Sequence, residues 1–170
     1  RDPVASLDDI SPYMRNAIIS AEDKDFYNHG AVNLMATTRS MLTGSGGGSG
    51  ITQQLIKNLQ YFSLNSDNES KAEATESTIA RKLKEMKLAM AYEKTHSKYE
   101  ILLKYLNTVS IGSGNVYGIE TAAQEIFGKS AKDLNLSESA ALAGSVNNTS
   151  KYNLMNLDDT QTNKWVKERQ

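Results

Sequence analysis

Glu22 and Asp23 stand side by side where an apolar helical pattern stops. Carboxylates at the C-terminal end of a helix oppose its macrodipole, at a cost of about several tenths of a kcal/mol each. Helix stability therefore does not favour them, and general-base chemistry is the first candidate. Phe26 and His29 follow at three-residue steps, with Gly30 directly after. His29 in such a turn is either an acid–base group or a structural residue. His96 reads as the solvated residue before a helix cap.

A second group follows a glycine-rich stretch. Gly44 to Gly50 holds five glycines and two serines, and Ile51 resumes helical spacing at once. Such a loop opens onto a helix N-terminus, where backbone amides favour an anion. It lacks the Gly-Lys-Ser/Thr ending of a nucleotide-binding P-loop. Gln53, Gln54 and Lys57 sit just beyond it, and their amides and ammonium suit a phosphate or a sugar ring. The alternative is the polar outer face of an amphipathic helix.

The third group is Arg81-Lys82-Leu83-Lys84-Glu85. With Ile79 at zero and about 100° per residue, Ile79, Leu83, Met86 and Met90 form an apolar stripe near 15°. Arg81, Glu85, Leu88 and Tyr92 fall at about 200°, 240°, 180° and 220°. A solvated face does not carry Leu and Tyr among its charges, so this flank is expected to be covered or to line a cleft. A covered Glu85 beside cations can hold a metal or position a substrate. The alternative is an Arg81–Glu85 intrahelical pair, worth a few tenths of a kcal/mol.

The elements needed to position these residues are nearly all helical. Ser11-Pro12 is an N-cap with proline at the first helical position, and Met14, Ala17, Ile18 and Ala21 form one apolar face. A weak helix is expected over Asn33 to Leu42. Further helices are expected from Ile51 to Phe62, from Thr78 to about Glu93, and from the capping box Ser97-x-x-Glu100 through Asn107. Another runs from Tyr117 to Phe127 with Gly128 at its C-terminal cap. Ser137 is expected to cap one through Ala143, and the tail from Asp158 reads as a last helix. No β-hairpin signal is evident, so the fold class is mainly α.

Bulk properties narrow the function. At 170 residues with 39% apolar content, the chain suits one domain with a core. A net charge of −1 argues against nucleic acid as the main partner. With no cysteine, disulfides and thiolate metal sites are excluded. No apolar run approaches the length of a membrane span. The chain reads as a single domain over residues 1–170, excised from a longer protein whose membrane anchor lies outside it. The amphipathic surface near Asp8 to Met14 is a candidate for lipid contact.

The order of the groups carries a resemblance. Glu22-Asp23-x-x-Phe26-x-x-His29, Gly47-x-Ser49-x-Ile51-x-Gln53-Gln54, Arg81-Lys82-x-x-Glu85 and Lys98-x-x-Ile101-Leu102-x-x-Tyr105-Leu106-Asn107 resemble four successive motifs of the peptidoglycan glycosyltransferases. These are the transglycosylase domains of class A penicillin-binding proteins and their monofunctional relatives. Tyr117-Gly118-Ile119, Phe127-Gly128-Lys129 and Ala141-Leu142-Ala143-Gly144 resemble the family's later segments. The match covers roughly residues 10 to 153.

The resemblance implies a lysozyme-like, mainly α fold with a flexible jaw subdomain at approximately residues 31–75. It implies inverting polymerisation of lipid II into β-1,4-linked glycan strands at the outer face of the bacterial cytoplasmic membrane. Glu22 would be the general base and Glu85 the second carboxylate, acting on the leaving pyrophosphate directly or through a divalent cation, Mg2+ or Mn2+. Lys57, Arg81, Lys82 and Lys84 match basic residues around the phosphates. Ser49, Gln53 and Gln54 match the substrate-contacting motif, and Asp23 and His29 match positions that organise the first motif. Implied partners are lipid II, the growing glycan chain, the membrane lipid surface and moenomycin-type inhibitors.

Three departures stand out. The family's glycine two residues after the histidine is Ala31 here, its Ser-Thr is Ser49-Gly50, and its fifth-motif prolines are absent from Ser145 to Ser150. Two other functions compete with the transferase: a lysozyme-like hydrolase or lytic enzyme on finished peptidoglycan, and a non-catalytic glycan- or lipid-binding module. A lytic enzyme has no pyrophosphate to hold, which leaves Lys57, Lys82 and Lys84 without a purpose.

Overall fold

The computed structural model describes residues 3–33, 37–38, 48–64, 78–111 and 116–146. The expected helix over Asn33 to Leu42 falls largely outside them, as do the start of the glycine stretch, the tail helix and most of the proline-poor fifth motif. The chain divides into two compact units, one formed by Arg1–Lys24 with Leu106–Gln170 and the other by Asp25–Tyr105. The expected jaw region falls in the second.

In the first unit, helix α1 spans Pro12–Glu22 and packs along helix α6, Leu136–Ser145. Ser11 starts α1 as expected: its hydroxyl accepts from the Tyr13 amide and donates to the Leu134 carbonyl, 2.7 Å away. Met14 and Ile18 are fully buried, together with Leu106, Ile111, Ile119, Ala122 and Leu142. Ala21, the last member of the expected apolar face, is exposed. Leu7 and Ile10 are buried beside Met14, leaving Tyr13 as the exposed large apolar residue between Asp8 and Met14. That segment therefore offers little apolar surface to a lipid, contrary to the amphipathic pattern.

Helix α5 is Ile119–Phe127, two residues shorter at its start than its periodicity suggests. Tyr117 belongs instead to a two-residue strand, β2 (Val116–Tyr117), paired antiparallel with β1 (Ser110–Ile111). Strands this short show no alternation, which is why the pattern missed them. Gly128 closes α5 in the left-handed region at φ 68°, as expected. Helix α6 begins two residues earlier than Ser137 suggests. Asn135 is its cap because Glu138, three residues on, returns a bond to the Asn135 amide and completes a capping box.

In the second unit, α2 (Ile51–Leu64) packs on α3 (Thr78–Glu93). Helix α4, Lys98–Thr108, opens with the predicted Ser97–Glu100 capping box. Ala31, Ile56 and Ala89 form a buried cluster flanked by Val32 and Tyr92. The substitution of Ala31 for the family's glycine is thereby accommodated: its methyl packs in this cluster. Gly30 has no positive φ, and a Cβ there would meet nothing within 4 Å.

Helix α3 corrects one expectation. Its buried arc is not the Leu83–Met90 stripe, since Leu83 is 50% exposed and Met90 47%. Glu85 and Ala89 are buried instead, with Lys82, Met86 and Tyr92 partly so. The side chain of Ile79 lies outside the described residues. On the same wheel this arc centres near 280°. Of the flank expected to be covered, Glu85 and Tyr92 are, whereas Arg81 and Leu88 are exposed.

Candidate active site

Glu22 is the last residue of α1 and is partly buried; Asp23, its C-cap, is buried, and its amide donates to the Ile19 carbonyl. These two acids belong to the first unit. The other candidate residues belong to the second.

There, the glycine stretch enters α2 at Ser49-Gly50. The Gly50 amide donates to Gln53 Oε1 at 3.3 Å, which turns the Gln53 side chain back over the first turn of the helix. Gln53 is 1% exposed, and its Nε2 is buried with no hydrogen-bond partner among the described residues. A buried amide donor without a partner costs about 1–3 kcal/mol. Gln54 is used differently: Nε2 donates to the Ser49 carbonyl at 3.1 Å and Oε1 accepts from Tyr105 Oη at 2.8 Å. Gln54 thus pins the backbone of Ser49 to α4. Tyr105 carried no role in the sequence reading, because its partner lies 51 positions away.

Lys82 reaches across from α3 and donates to Ser49 Oγ. Its ammonium also lies 3.9 Å from Glu85 Oε2, while Arg81 Nε lies 3.8 Å from Oε1. Glu85 is only 7% exposed. Both separations exceed hydrogen-bond length, so the pair neutralises the carboxylate without fixing it rigidly. Burial holds the Lys82 pKa below the ordinary lysine value; Glu85 opposes that shift, and the nearby charges of Lys57 and Arg81 reinforce it. Lys57 is exposed although it follows Gln53 by one turn, and Lys84 lies on the exposed side of α3. His29 is partly buried, with Nδ1 donating to the Gly30 carbonyl.

The structure therefore gathers Ser49, Gln53, Gln54, Arg81, Lys82 and Glu85 around the first turn of a 14-residue helix. Cations, an unused amide donor and the positive end of a helix dipole converge there. Such a set stabilises a polyanion carrying more than one phosphoryl oxygen. Among the described residues no three carboxylate or histidine side chains converge to hold a metal ion. Glu85 alone fits the way Mg2+ is commonly held, by one or two carboxylates with substrate phosphates and water.

A family model described as transglycosylase matches residues 1–170. Penicillin-binding protein 2a of Streptococcus pneumoniae is 39% identical over 160 residues, covering 93% of this chain and 20% of that protein. Penicillin-binding protein 1A of Aquifex aeolicus is 38% identical over 154 residues, covering 87% of the chain and 19% of that protein. The monofunctional glycosyltransferase of Staphylococcus haemolyticus is 37% identical over 171 residues, covering 94% of the chain and 58% of that protein. The chain thus spans about a fifth of the length of the two penicillin-binding proteins. With a family model matched over its whole length, the chain belongs to the transglycosylase family, the peptidoglycan glycosyltransferases.

Proposed function

We propose that this domain polymerises lipid II into β-1,4-linked glycan strands, with Glu22 as general base. The acceptor sugar's 4-hydroxyl attacks C1 of the donor sugar. An O4–C1 bond forms, the bond from C1 to the pyrophosphate oxygen breaks, and the configuration inverts from α to β. The proton passes to Glu22, and undecaprenyl pyrophosphate leaves with the bonding electrons. The observation that carries this function is the group at the start of α2. Lys82, Arg81 and the orphaned Gln53 amide supply charge and donors for a leaving group whose negative charge grows in the transition state. Glu85 orients Lys82 and Arg81. A divalent cation, Mg2+ or Mn2+, would be held by Glu85 with the pyrophosphate oxygens, adding Lewis-acid stabilisation of the same charge. Moenomycin-type inhibitors would compete for these residues.

The assay is conversion of lipid II to glycan strands, run beside digestion of purified cell walls. Strand synthesis is expected and release of wall fragments is not; fragments without strands would instead favour a lytic enzyme, and binding without product a non-catalytic module. A chelator is expected to slow strand synthesis. Lys82→Met is expected to slow it by about 10- to 100-fold, the worth of one charge-assisted hydrogen bond. Because burial lowers the Lys82 pKa, its charge is lost at lower pH than that of an ordinary lysine. Activity should fall on the alkaline side as that proton leaves, and Lys82→Arg should move the fall to higher pH.

The proposed site of action is the outer face of the bacterial cytoplasmic membrane. No helix among the described residues is long and apolar enough to cross a membrane. Contact with the lipid surface is instead assigned to α3. Leu83, Lys87 and Met90 recur at i, i+4 and i+7 on α3, Lys94 follows its last residue, and all four are exposed. Apolar tips flanked by lysines suit an interface of acyl chains and anionic headgroups. Leu83→Asp with Met90→Asp is expected to weaken sedimentation with phosphatidylglycerol vesicles several-fold while leaving the Lys82–Ser49 contact in place. Unchanged sedimentation would remove α3 from the membrane surface.

A further inference from the structure

One ion pair in the second unit joins the end of α3 to the start of α4. Glu93 ends α3 and Lys98 begins α4. An acid at a helix C-terminus and a base at a helix N-terminus each oppose the local dipole. The logic applied to Glu22 applies here: helix stability does not favour either charge. Their side chains are largely covered, at 16% and 23% exposure, and Lys98 Nζ donates to Glu93 Oε1 at 2.8 Å. The same oxygen accepts from Thr52 Oγ1 at 2.6 Å. Thr52 is the second residue of α2, directly before Gln53. On its other side Lys98 lies 4.5 Å from the centroid of the Phe26 ring, a cation–π contact. Phe26 is fully buried in the turn that follows the Glu22-Asp23 pair and precedes His29.

We infer that Lys98 and Glu93 are positioning residues for glycosyl transfer. Through Thr52 they hold the first turn of α2, which carries the Gln53 and Gln54 amides. Through Phe26 they hold the turn of residues 25–28. One ammonium, fixed by one carboxylate, thus ties the helix turn bearing Gln53 and Gln54 to the turn that lies between Asp23 and His29. Neither residue touches the reacting atoms. Their effect is on geometry, where displacement of about 1 Å can cost about 100-fold in rate.

The inference rests on the transferase function proposed above, and its test contains an arm that does not. Lys98→Met retains much of the side chain's length but leaves Glu93 as a covered, unpaired charge. The paired variant Lys98→Met/Glu93→Gln removes that charge and restores thermal stability towards wild type. A purely structural role predicts that activity returns with stability. Positioning predicts that it does not: kcat stays about 10- to 100-fold down, with KM changed less than threefold. Lys98→Arg, which keeps both the ion pair and the cation–π contact, should recover most of kcat. Independently of turnover, amide hydrogen exchange in the paired variant should quicken in residues 25–29 and 50–54 and stay unchanged in α5 and α6. Recovery of activity together with stability, or unchanged exchange in those two segments, would overturn the inference. An inactive wild type with quickened exchange in the variant would overturn the transferase function while leaving the tie itself standing.

Discussion

Glu22→Gln is expected to lower kcat for lipid II polymerisation by about 10²–10⁴-fold, the contribution of a positioned general base. The amide keeps the size of the carboxylate and cannot accept the proton of the attacking hydroxyl. Folding should survive, for two reasons. Glu22 is the terminal, partly buried residue of α1, and the buried anchors of that helix, Met14 and Ile18, are untouched. Removing a negative charge from a helix C-terminus also relieves an unfavourable dipole interaction of about 0.3–1 kcal/mol. The melting temperature is therefore expected to hold or rise slightly as turnover collapses. Glu22→Asp, shorter by one methylene, should retain part of the rate, because the base survives but its reach does not. Near-wild-type turnover by a folded Glu22→Gln protein would remove Glu22 as the base. The rival acid is its neighbour. Asp23 has a buried side chain, so Asp23→Asn should lower stability as well as activity, a combination that separates support from chemistry.

How much of this was legible in the sequence depends on the distance between interacting partners. Local signals read well: the Ser11-Pro12 start, the Ser97–Glu100 capping box and Gly128 are each decided within a few residues. The cap of α6 was misplaced although Asn135-x-x-Glu138 is an equally local signature; Ser137 satisfies the composition rule, but only Asn135 has a reciprocating acid at the third position. The buried face of α3 departs from its hydrophobic periodicity for a different reason. Hydrophobic periodicity takes apolar residues to mark the core, whereas this helix buries Glu85 for its site and leaves Leu83 and Met90 exposed. The presence of Leu88 and Tyr92 among charges gave the useful warning, although only Tyr92 joins the covered side. Thr52 and Glu93 escaped notice because they meet across 41 positions. A signal for Glu93 was nevertheless present: an acid ending a helix, the same anomaly that singled out Glu22.

Gly118→Ala is expected to be the most destabilising small substitution in the first unit. Gly118 precedes α5 at φ 84° and ψ 145°, a backbone region essentially reserved for glycine that costs an L-residue about 1–3 kcal/mol. A Cβ there would also stand 2.8 Å from the backbone carbonyl oxygen of Asn107, and backbone cannot swing aside as a side chain can. Nor is Asn107 free to shift. Its side chain makes two bonds to the backbone of Val4, each 3.0 Å, pairing the N-terminal segment to the end of α4. The Gly118 amide donates to the Val109 carbonyl at 2.9 Å, which holds the close approach from the other side. Overpacking of this kind adds about 1–3 kcal/mol to the conformational cost. The melting temperature should therefore fall by roughly 5–15 °C at about 2–4 °C per kcal/mol for a domain of this size. Gly128→Ala supplies a comparison: Gly128 lies in the left-handed helical region at φ 68° and ψ 24°, with nothing within 4 Å of an added Cβ. It should show only the cost of a left-handed residue, about 1–2 kcal/mol. If the two alanine variants melt together, neither the close approach to Asn107 nor the glycine-only backbone region of Gly118 contributes beyond the cost of a left-handed residue.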